Sequence, residues 1–264
     1  MKNISVVGAR PNFIKIAPIL RAMEESNKRL RTSDVGVRTL HHLLVHTGQH
    51  YDYEMSKIFF EDLELPEPDI HLGIGSGSHA EQTGRIMIEF EKVLLKEKPD
   101  VVIVVGDVNS TLAAALAAVK LHIPIAHVEA GLRSYDREMP EEINRVLTDH
   151  ISTVLFCPTE TAVRNLQKEG FTNIVNNGKL ITSHVSLLTS YALRFTSHLS
   201  RFTSYVSPLV VNVGDVMYES ALYNLKIARR KSKILQTLNL KSRNYILATV
   251  HRAENTDYPE RLRD

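Results

Sequence analysis

Short apolar runs alternate with longer segments of helical periodicity along this chain. The runs at residues 4–7, 43–45, 101–105, 123–128 and 154–157 are typical of strands buried on both faces. The segments at residues 11–23, 53–60, 81–96, 110–121 and 141–150 place apolar side chains at helical spacing. Strands that alternate with helices indicate a parallel sheet covered on both sides. The pattern therefore predicts a doubly wound α/β domain over residues 1–172.

The pattern changes after this domain. No acidic residue occurs between Glu169 and Asp215, and within this gap the dipeptide Thr-Ser recurs every seven residues. The repeated units begin at Thr182, Thr189, Thr196 and Thr203. Coiled-coil charge pairs are missing, and the unit is too short for a solenoid. We therefore interpret residues 173–212 as an inserted loop, translated from a tandem nucleotide repeat. After it, residues 213–231 lead into a helix, and residues 245–250 have the pattern of a buried strand.

Composition and charge narrow the class of protein. Hydrophobic residues make up 43% of the chain, charged residues 23%, and the net charge is +2 with both signs interspersed. This balance is that of a globular protein and gives no reason to expect nucleic acid or an anionic membrane as a partner. The only cysteine, Cys157, ends an apolar run and is expected in the core. No signal peptide or membrane span is evident, so we expect a cytoplasmic protein.

Ionisable side chains follow nearly every predicted strand. In open α/β sheets, ligands bind beyond the carboxyl ends of the strands, so these positions are the first to search. They are Arg10 and Lys15 after the first strand, His46 and His50 with the amide Gln49 after the second, Asp107 after the third, Glu129 after the fourth, and His251 with Arg252 after residues 245–250. Desolvating so many charges at one edge is difficult to explain by structure alone.

The cationic positions allow two interpretations. Arg10 and Lys15 lie near the start of a predicted helix, where the helix dipole and two cations suit a diphosphate, but a surface turn with two solvated cations fits equally well. The glycine-rich stretch at residues 73–77 is interpreted as a flexible turn. His46 and His50 flank a strand end and favour hydrogen bonding over zinc. No dinucleotide fingerprint or P-loop is present, which disfavours NAD and P-loop chemistry.

The carboxylates carry more information. Asp107 and Glu129 end neighbouring predicted strands, so they should converge, although Asp107 could instead cap the next helix. Glu141 and Glu142 follow Pro140 at a predicted helix start, where acidic residues are also favoured by the helix dipole. Several carboxylates facing cations in one crevice nevertheless suit proton transfer beside an anionic leaving group.

Ordered motifs resemble one enzyme family. They are Gly8-x-Arg10-Pro11 with Lys15, residues 46–50 (HTGQH), Gly106-Asp107-x-Asn109, residues 127–133 (HVEAGLR), Pro140-Glu141-Glu142-x-Asn144-Arg145 and His251-Arg252-x-Glu254-Asn255. Together they resemble the non-hydrolysing UDP-N-acetylglucosamine 2-epimerases, over residues 1–171 and from residue 213 onward. The inserted repeat has no counterpart in that family.

The resemblance implies a fold and a reaction. The fold would be glycosyltransferase-B-like, with residues 213–264 as the beginning of an incomplete second Rossmann-like domain. The reaction would interconvert UDP-N-acetylglucosamine and UDP-N-acetylmannosamine without NAD or a metal, by eliminating UDP across C1–C2 and adding it back. Alternatives are an inactive nucleotide-sugar-binding fragment and a hydrolysing enzyme that releases UDP and N-acetylmannosamine.

The resemblance also implies roles for individual residues. Asp107, Glu129 and Glu141 would be acid/base carboxylates, and His251 would assist at the diphosphate. The UDP-sugar would be bound by Arg10, Lys15, Gln49, His127, Arg133, Asn144, Arg145 and Arg252. The expected partner beyond this substrate is a second copy of the chain or a complementing C-terminal fragment.

Overall fold

The computed structural model describes residues 1–32, 39–48, 64–175, 208–241, 244–249 and 260. The elements in chain order are β1 (Lys2–Val7), α1 (Arg10–Thr32), β2 (His41–His46), β3 (Ile70–His71), α2 (His79–Glu97), β4 (Val101–Val105), α3 (Asn109–Lys120), β5 (Ile125–Val128), α4 (Pro140–Ile151), β6 (Val154–Cys157), α5 (Glu160–Lys168), β7 (Ile174–Val175), β8 (Leu209–Asn212), α6 (Val216–Lys231) and α7 (Ile234–Thr237). None of the helices in these ranges combines the length and apolar character that a membrane span requires.

The strands form one parallel sheet of eight in the order β3-β2-β1-β4-β5-β6-β8-β7. The chain builds outward from β1 to β3 in one direction and then from β4 onward in the other. The order therefore reverses between β1 and β4, and such a reversal opens a crevice at the carboxyl edge of the sheet. The predicted doubly wound α/β fold is confirmed.

The core lies on both faces of this sheet because successive strand residues point to opposite sides. In β1, Val7 packs with Phe13 and Ile16 of α1, whereas Ile4 and Val6 pack on the other face with α2 and α3. Both faces are apolar, which explains why the strands appear in the sequence as continuous hydrophobic runs.

Two segments differ from the sequence prediction. The strands β7 and β8 lie inside the range 173–212, which was predicted to be a loop, because both are short β-branched or apolar runs that extend the sheet beyond β6. Thr182 and the other repeated positions lie outside the described residues. The chain divides into two compact units, Met1–Leu222 and Tyr223–Asp264, and the boundary between them falls within α6.

The predicted buried strand at residues 245–250 is wrong over its described part. Residues 244–249 form no strand, and Ile246 and Leu247 are 95% and 84% exposed. A strand is stable only when neighbouring strands satisfy its backbone hydrogen bonds and cover its side chains. Within the described residues no such neighbours exist for this segment.

Candidate active site

The loops after β1 and β4 are fastened to each other at the crevice. Asn12 in the first turn of α1 accepts hydrogen bonds from the N–H groups of Gly8 (3.2 Å) and Ala9 (3.0 Å). Its amide nitrogen donates to the carbonyl of Val105 at the end of β4, at 2.7 Å. A Cβ on Gly8 would lie 2.0 Å from Oγ of Ser110, so only glycine allows this close approach. Sequence analysis did not single out Asn12.

Lys15 and Glu129 form an ion pair in this crevice. The Nζ of Lys15 contacts Oε2 of Glu129, and the two side chains are only 10% and 14% exposed. A Cβ on Gly106 would lie 3.0 Å from that Nζ and 3.4 Å from that Oε2. The missing side chain of Gly106 therefore leaves the space that the pair occupies. Lys15 comes from α1 and Glu129 from the end of β5, as expected for groups that meet at a sheet edge.

Asp107, in the loop after β4, forms a second ion pair. Its Oδ2 contacts Nη2 of Arg145 in α4, and the guanidinium also donates to Oε2 of Glu142 at 2.6 Å. The side chain of Asp107 does not cap α3, because the capping position is Val108 and no side-chain bond is made there. The alternative interpretation of Asp107 as a helix cap is therefore wrong.

Glu142 anchors the loop before α4. Its two oxygens accept from the backbone N–H groups of Ser134 and Tyr135, both at 3.0 Å. Burial acts to raise the pKa of Glu142, but these hydrogen bonds and Arg145 outweigh it, so the pKa lies below its usual range. Glu142 is therefore an ionised structural group.

Glu141 lies apart from these pairs. It is exposed in the first turn of α4, and its carboxylate makes no hydrogen bond or ion pair with any described residue. It precedes Arg145 by four residues, so the two lie on the same side of the helix, roughly 6 Å apart along its axis. Asp107 and Glu129 thus follow the carboxyl ends of the neighbouring strands β4 and β5, and Glu141 is exposed on the helix that contacts Asp107.

Asn144 connects Asp107 to a groove that is lined by residues of α2, α3 and α4. Its Nδ2 donates to the carbonyl of Asp107 (2.9 Å) and to Oδ1 of Asn109 (3.2 Å), and Asn109 donates to Gln82 in α2 at 2.9 Å. The groove has a volume of about 570 Å³. Its lining residues are His79, Ala80, Thr83, Gly84, Met87, Asn109, Pro140, Ile143 and Asn144.

His127 and Arg133 lie in a buried ionic network. Nδ1 of His127 is 2.7 Å from Oδ1 of Asp149, and Nη1 of Arg133 is 2.7 Å from Oδ2 of the same carboxylate. Arg133 also binds both carboxylate oxygens of Glu169 at 2.7 Å each. The His127 side chain is 0% exposed and that of Arg133 is 1% exposed. This burial does not fit the predicted direct contact of either residue with a substrate.

Burial and charge act in opposite directions on this network. Burial acts to raise the pKa of Asp149, but His127 and Arg133 outweigh it and the pKa is lowered. Burial acts to lower the pKa of Arg133, but Glu169 and Asp149 act to raise it and outweigh burial. The pKa of Arg133 is therefore raised. The pKa of the nearby Cys157 thiol is raised, mainly by burial, which fits the core position predicted for it.

The remaining predicted residues divide into two groups. Arg10 is exposed at the first position of α1, at the carboxyl edge of β1. Gln49, His251 and Arg252 lie outside the described residues, as does the predicted helix at residues 53–60.

Comparison with known proteins agrees with this geometry. A family model described as UDP-N-acetylglucosamine 2-epimerase matches residues 36–206. A UDP-N-acetylglucosamine 2-epimerase homolog of Methanococcus maripaludis is 51% identical over 99% of this chain and 60% of its own length. A UDP-2,3-diacetamido-2,3-dideoxy-D-glucuronate 2-epimerase of Pseudomonas aeruginosa is 46% identical over the same shares.

A solved structure supports the same relationship. The crystal structure of Methanocaldococcus jannaschii UDP-GlcNAc 2-epimerase, in complex with UDP-GlcNAc and UDP, has a TM-score of 0.73 and 46% identity, covering 100% of this chain and 60% of that one. The chain thus spans about 60% of the length of these relatives. By sequence, family model and fold, the chain belongs to the UDP-N-acetylglucosamine 2-epimerase family.

Proposed function

We propose that this chain takes part in the interconversion of UDP-N-acetylglucosamine and UDP-N-acetylmannosamine. The observation that carries the proposal is the two cation–carboxylate contacts at the carboxyl ends of the neighbouring strands β4 and β5, Lys15 with Glu129 and Arg145 with Asp107. They lie where the strand order reverses, which is where open α/β sheets bind ligands. The relative from M. jannaschii has been crystallised with UDP-GlcNAc and UDP.

The reaction follows from the chemistry of the sugar. The proton on C2 is not acidic, so a carboxylate removes it as the C1–O bond to UDP breaks. The C2–H electron pair becomes the C1=C2 double bond of 2-acetamidoglucal, and UDP leaves with the C1–O pair. Return of UDP to C1, with a proton delivered to the opposite face of C2, completes the inversion. Such a path requires acid/base groups on both faces of C2 and positive charge at the diphosphate.

The residues of this chain are assigned to these tasks as follows. Asp107, Glu129 and Glu141 exchange protons with the sugar. Lys15 and Arg10, near the start of α1, stabilise the departing diphosphate together with the dipole of that helix. Arg145 and Asn144 orient Asp107 through its side chain and its carbonyl, respectively.

Proton exchange at C2 tests the proposal. UDP-N-acetylglucosamine is incubated with the chain in deuterated water, and deuterium at C2 is followed by ¹H NMR together with the appearance of the manno epimer. Asp107→Asn, Glu129→Gln and Glu141→Gln should each slow exchange at least ~100-fold, as expected for loss of a general acid or base. Glu138→Gln, an exposed carboxylate two residues before Pro140, is the matched control and should retain the wild-type rate.

Other outcomes identify other functions. UDP that accumulates with free N-acetylmannosamine indicates the hydrolysing reaction, and UDP binding without exchange indicates an inactive binding fragment. The P. aeruginosa relative is as similar in sequence as the M. jannaschii enzyme, so the diacetamido-glucuronate nucleotide is tested in parallel. Wild-type exchange in any of the three amide variants removes that residue from the proposed mechanism.

A further inference from the structure

One buried carboxylate, Asp149 near the end of α4, connects the segments that carry Asp107 and Glu129. Its side chain is 0% exposed. Oδ1 accepts from Nδ1 of His127 (2.7 Å), and Oδ2 accepts from the N–H of Gly131 (3.0 Å) and from Nη1 of Arg133 (2.7 Å). We propose that Asp149 is a positioning residue that sets the geometry of both carboxylates, an inference that rests on the function proposed above.

The first connection runs through His127 to Asp107. Nε2 of His127 donates to the carbonyl of Gly106 at 2.8 Å, while Nδ1 faces Asp149. Both ring nitrogens therefore lie within hydrogen-bond distance of oxygen atoms, which fixes the orientation of the ring. Because Gly106 directly precedes Asp107, a ring held on one side by Asp149 fixes the backbone from which Asp107 projects.

The second connection controls Glu129. Its φ is +72°, in the left-handed region that costs a residue with a side chain about 1 kcal/mol or more. The N–H groups of Glu129 and Ala130 both donate to the carbonyl of Phe156 at 3.1 Å. Two residues later Gly131, also at positive φ, donates to Asp149. This unfavourable turn persists because hydrogen bonds fix it at both ends, and Asp149 supplies one of them.

The outer part of the network is Glu169, whose described side-chain contacts include neither Asp107 nor Glu129. Arg133 spans Asp149 and Glu169, with two bonds of 2.7 Å to the latter. Glu169 follows the end of α5, and its side chain is 26% exposed. Removing Glu169 would leave all three bonds of Asp149 in place, which makes it the matched control for a change at Asp149.

Steady-state kinetics of C2 exchange provide the test. Asp149→Asn should lower kcat by about 100-fold, the effect expected from a displacement of about 1 Å in a reacting group, and should change KM by less than about threefold. Glu169→Gln should keep kcat within about threefold. Equal losses in both variants would indicate general destabilisation, and an unchanged kcat in Asp149→Asn would equally overturn the proposal.

A second variant separates positioning from folding. His127→Asn places an amide near the position of Nδ1, so it can still bind Asp149, but it cannot reach the carbonyl of Gly106. It should lower kcat by breaking the first connection, and adding it to Asp149→Asn should cost little more, because Asp149→Asn already weakens that connection. If Asp149→Asn does not fold, His127→Asn alone decides, and an unchanged kcat in it contradicts the proposal.

Crystal structures provide a readout that does not depend on turnover. In His127→Asn, the carbonyl of Gly106 should rotate away and the contact of Asp107 with Arg145 should be disturbed. In Asp149→Asn, which also removes the acceptor of Gly131, the contact of Glu129 with Lys15 should be disturbed as well. If the contact of Asp107 with Arg145 is retained in His127→Asn, the proposal is overturned. If the wild-type chain shows no exchange, the proposed function fails, and the crystal structures still decide whether the network positions these carboxylates.

Discussion

His42 should make the stability of the sheet strongly dependent on pH. It lies on β2 with Nε2 3.0 Å from Oγ of Ser5 on the neighbouring strand. Burial lowers its pKa from 6.5 to about 4, against an opposing effect of Asp69 and with a small further lowering by His41. The perturbation that reveals this effect is His42→Gln, which removes the titrating ring and retains an amide that can bond to Ser5.

The sign and size of the effect follow from proton linkage. Between pH 6.5 and pH 4 the unfolded chain binds a proton at this histidine and the folded chain does not, so acidification favours unfolding. The folded state therefore has its full stability above about pH 6.5, and its free energy of unfolding decreases as pH falls toward 4. A difference of about 2.5 pH units corresponds to roughly 3 kcal/mol in the free energy of unfolding.

Urea unfolding followed by far-UV circular dichroism at several pH values measures this quantity. The wild type should lose about 3 kcal/mol more than His42→Gln between pH 7 and pH 4. His122→Asn is the matched control, because His122 is exposed in a turn with φ of +58°, a conformation that asparagine tolerates. Its profile should follow that of the wild type. Parallel profiles for the wild type and His42→Gln would refute the reasoning.

Three further predictions concern stability and are measured by the same urea unfolding. Gly8→Ala should cost about 2 kcal/mol or more, since its Cβ would lie 2.0 Å from Ser110 Oγ, and an unchanged midpoint would contradict this close approach. Gly84→Ala should stabilise by about 0.5–1 kcal/mol, because Gly84 is inside α2 with open space around an added Cβ; a loss of stability would contradict that open space. Glu142→Gln should cost about 2 kcal/mol by weakening the bonds to Ser134, Tyr135 and Arg145, and an equal loss in Glu138→Gln would argue against this cause.

The places of Asp107 and Glu129 at the carboxyl ends of neighbouring strands could be predicted from the sequence because they depend on topology. Both residues follow continuous apolar runs, and neighbouring parallel strands end at the same edge. The failure at residues 245–250 has the complementary cause. An apolar run shows only that a segment is suited to a strand, and pairing depends on neighbours elsewhere in the chain.

The positioning network could not be predicted by the same reasoning, because the buried side of α4 carries charged residues and its exposed side carries apolar ones. Glu142, Arg145 and Asp149 have the i, i+3, i+7 spacing that normally marks an apolar stripe facing the core, yet here this stripe is ionic and largely buried. Ile143 and Leu147, by contrast, are 37% and 46% exposed. Charged residues at inward positions require partners. The loop after β4, the strand β5 and the loop after β5 supply them at Asp107, His127 and Arg133, respectively. A helix whose charged stripe has apolar periodicity is therefore itself a sequence signal for a buried ionic network, and its partners are to be sought at the strand ends that it covers.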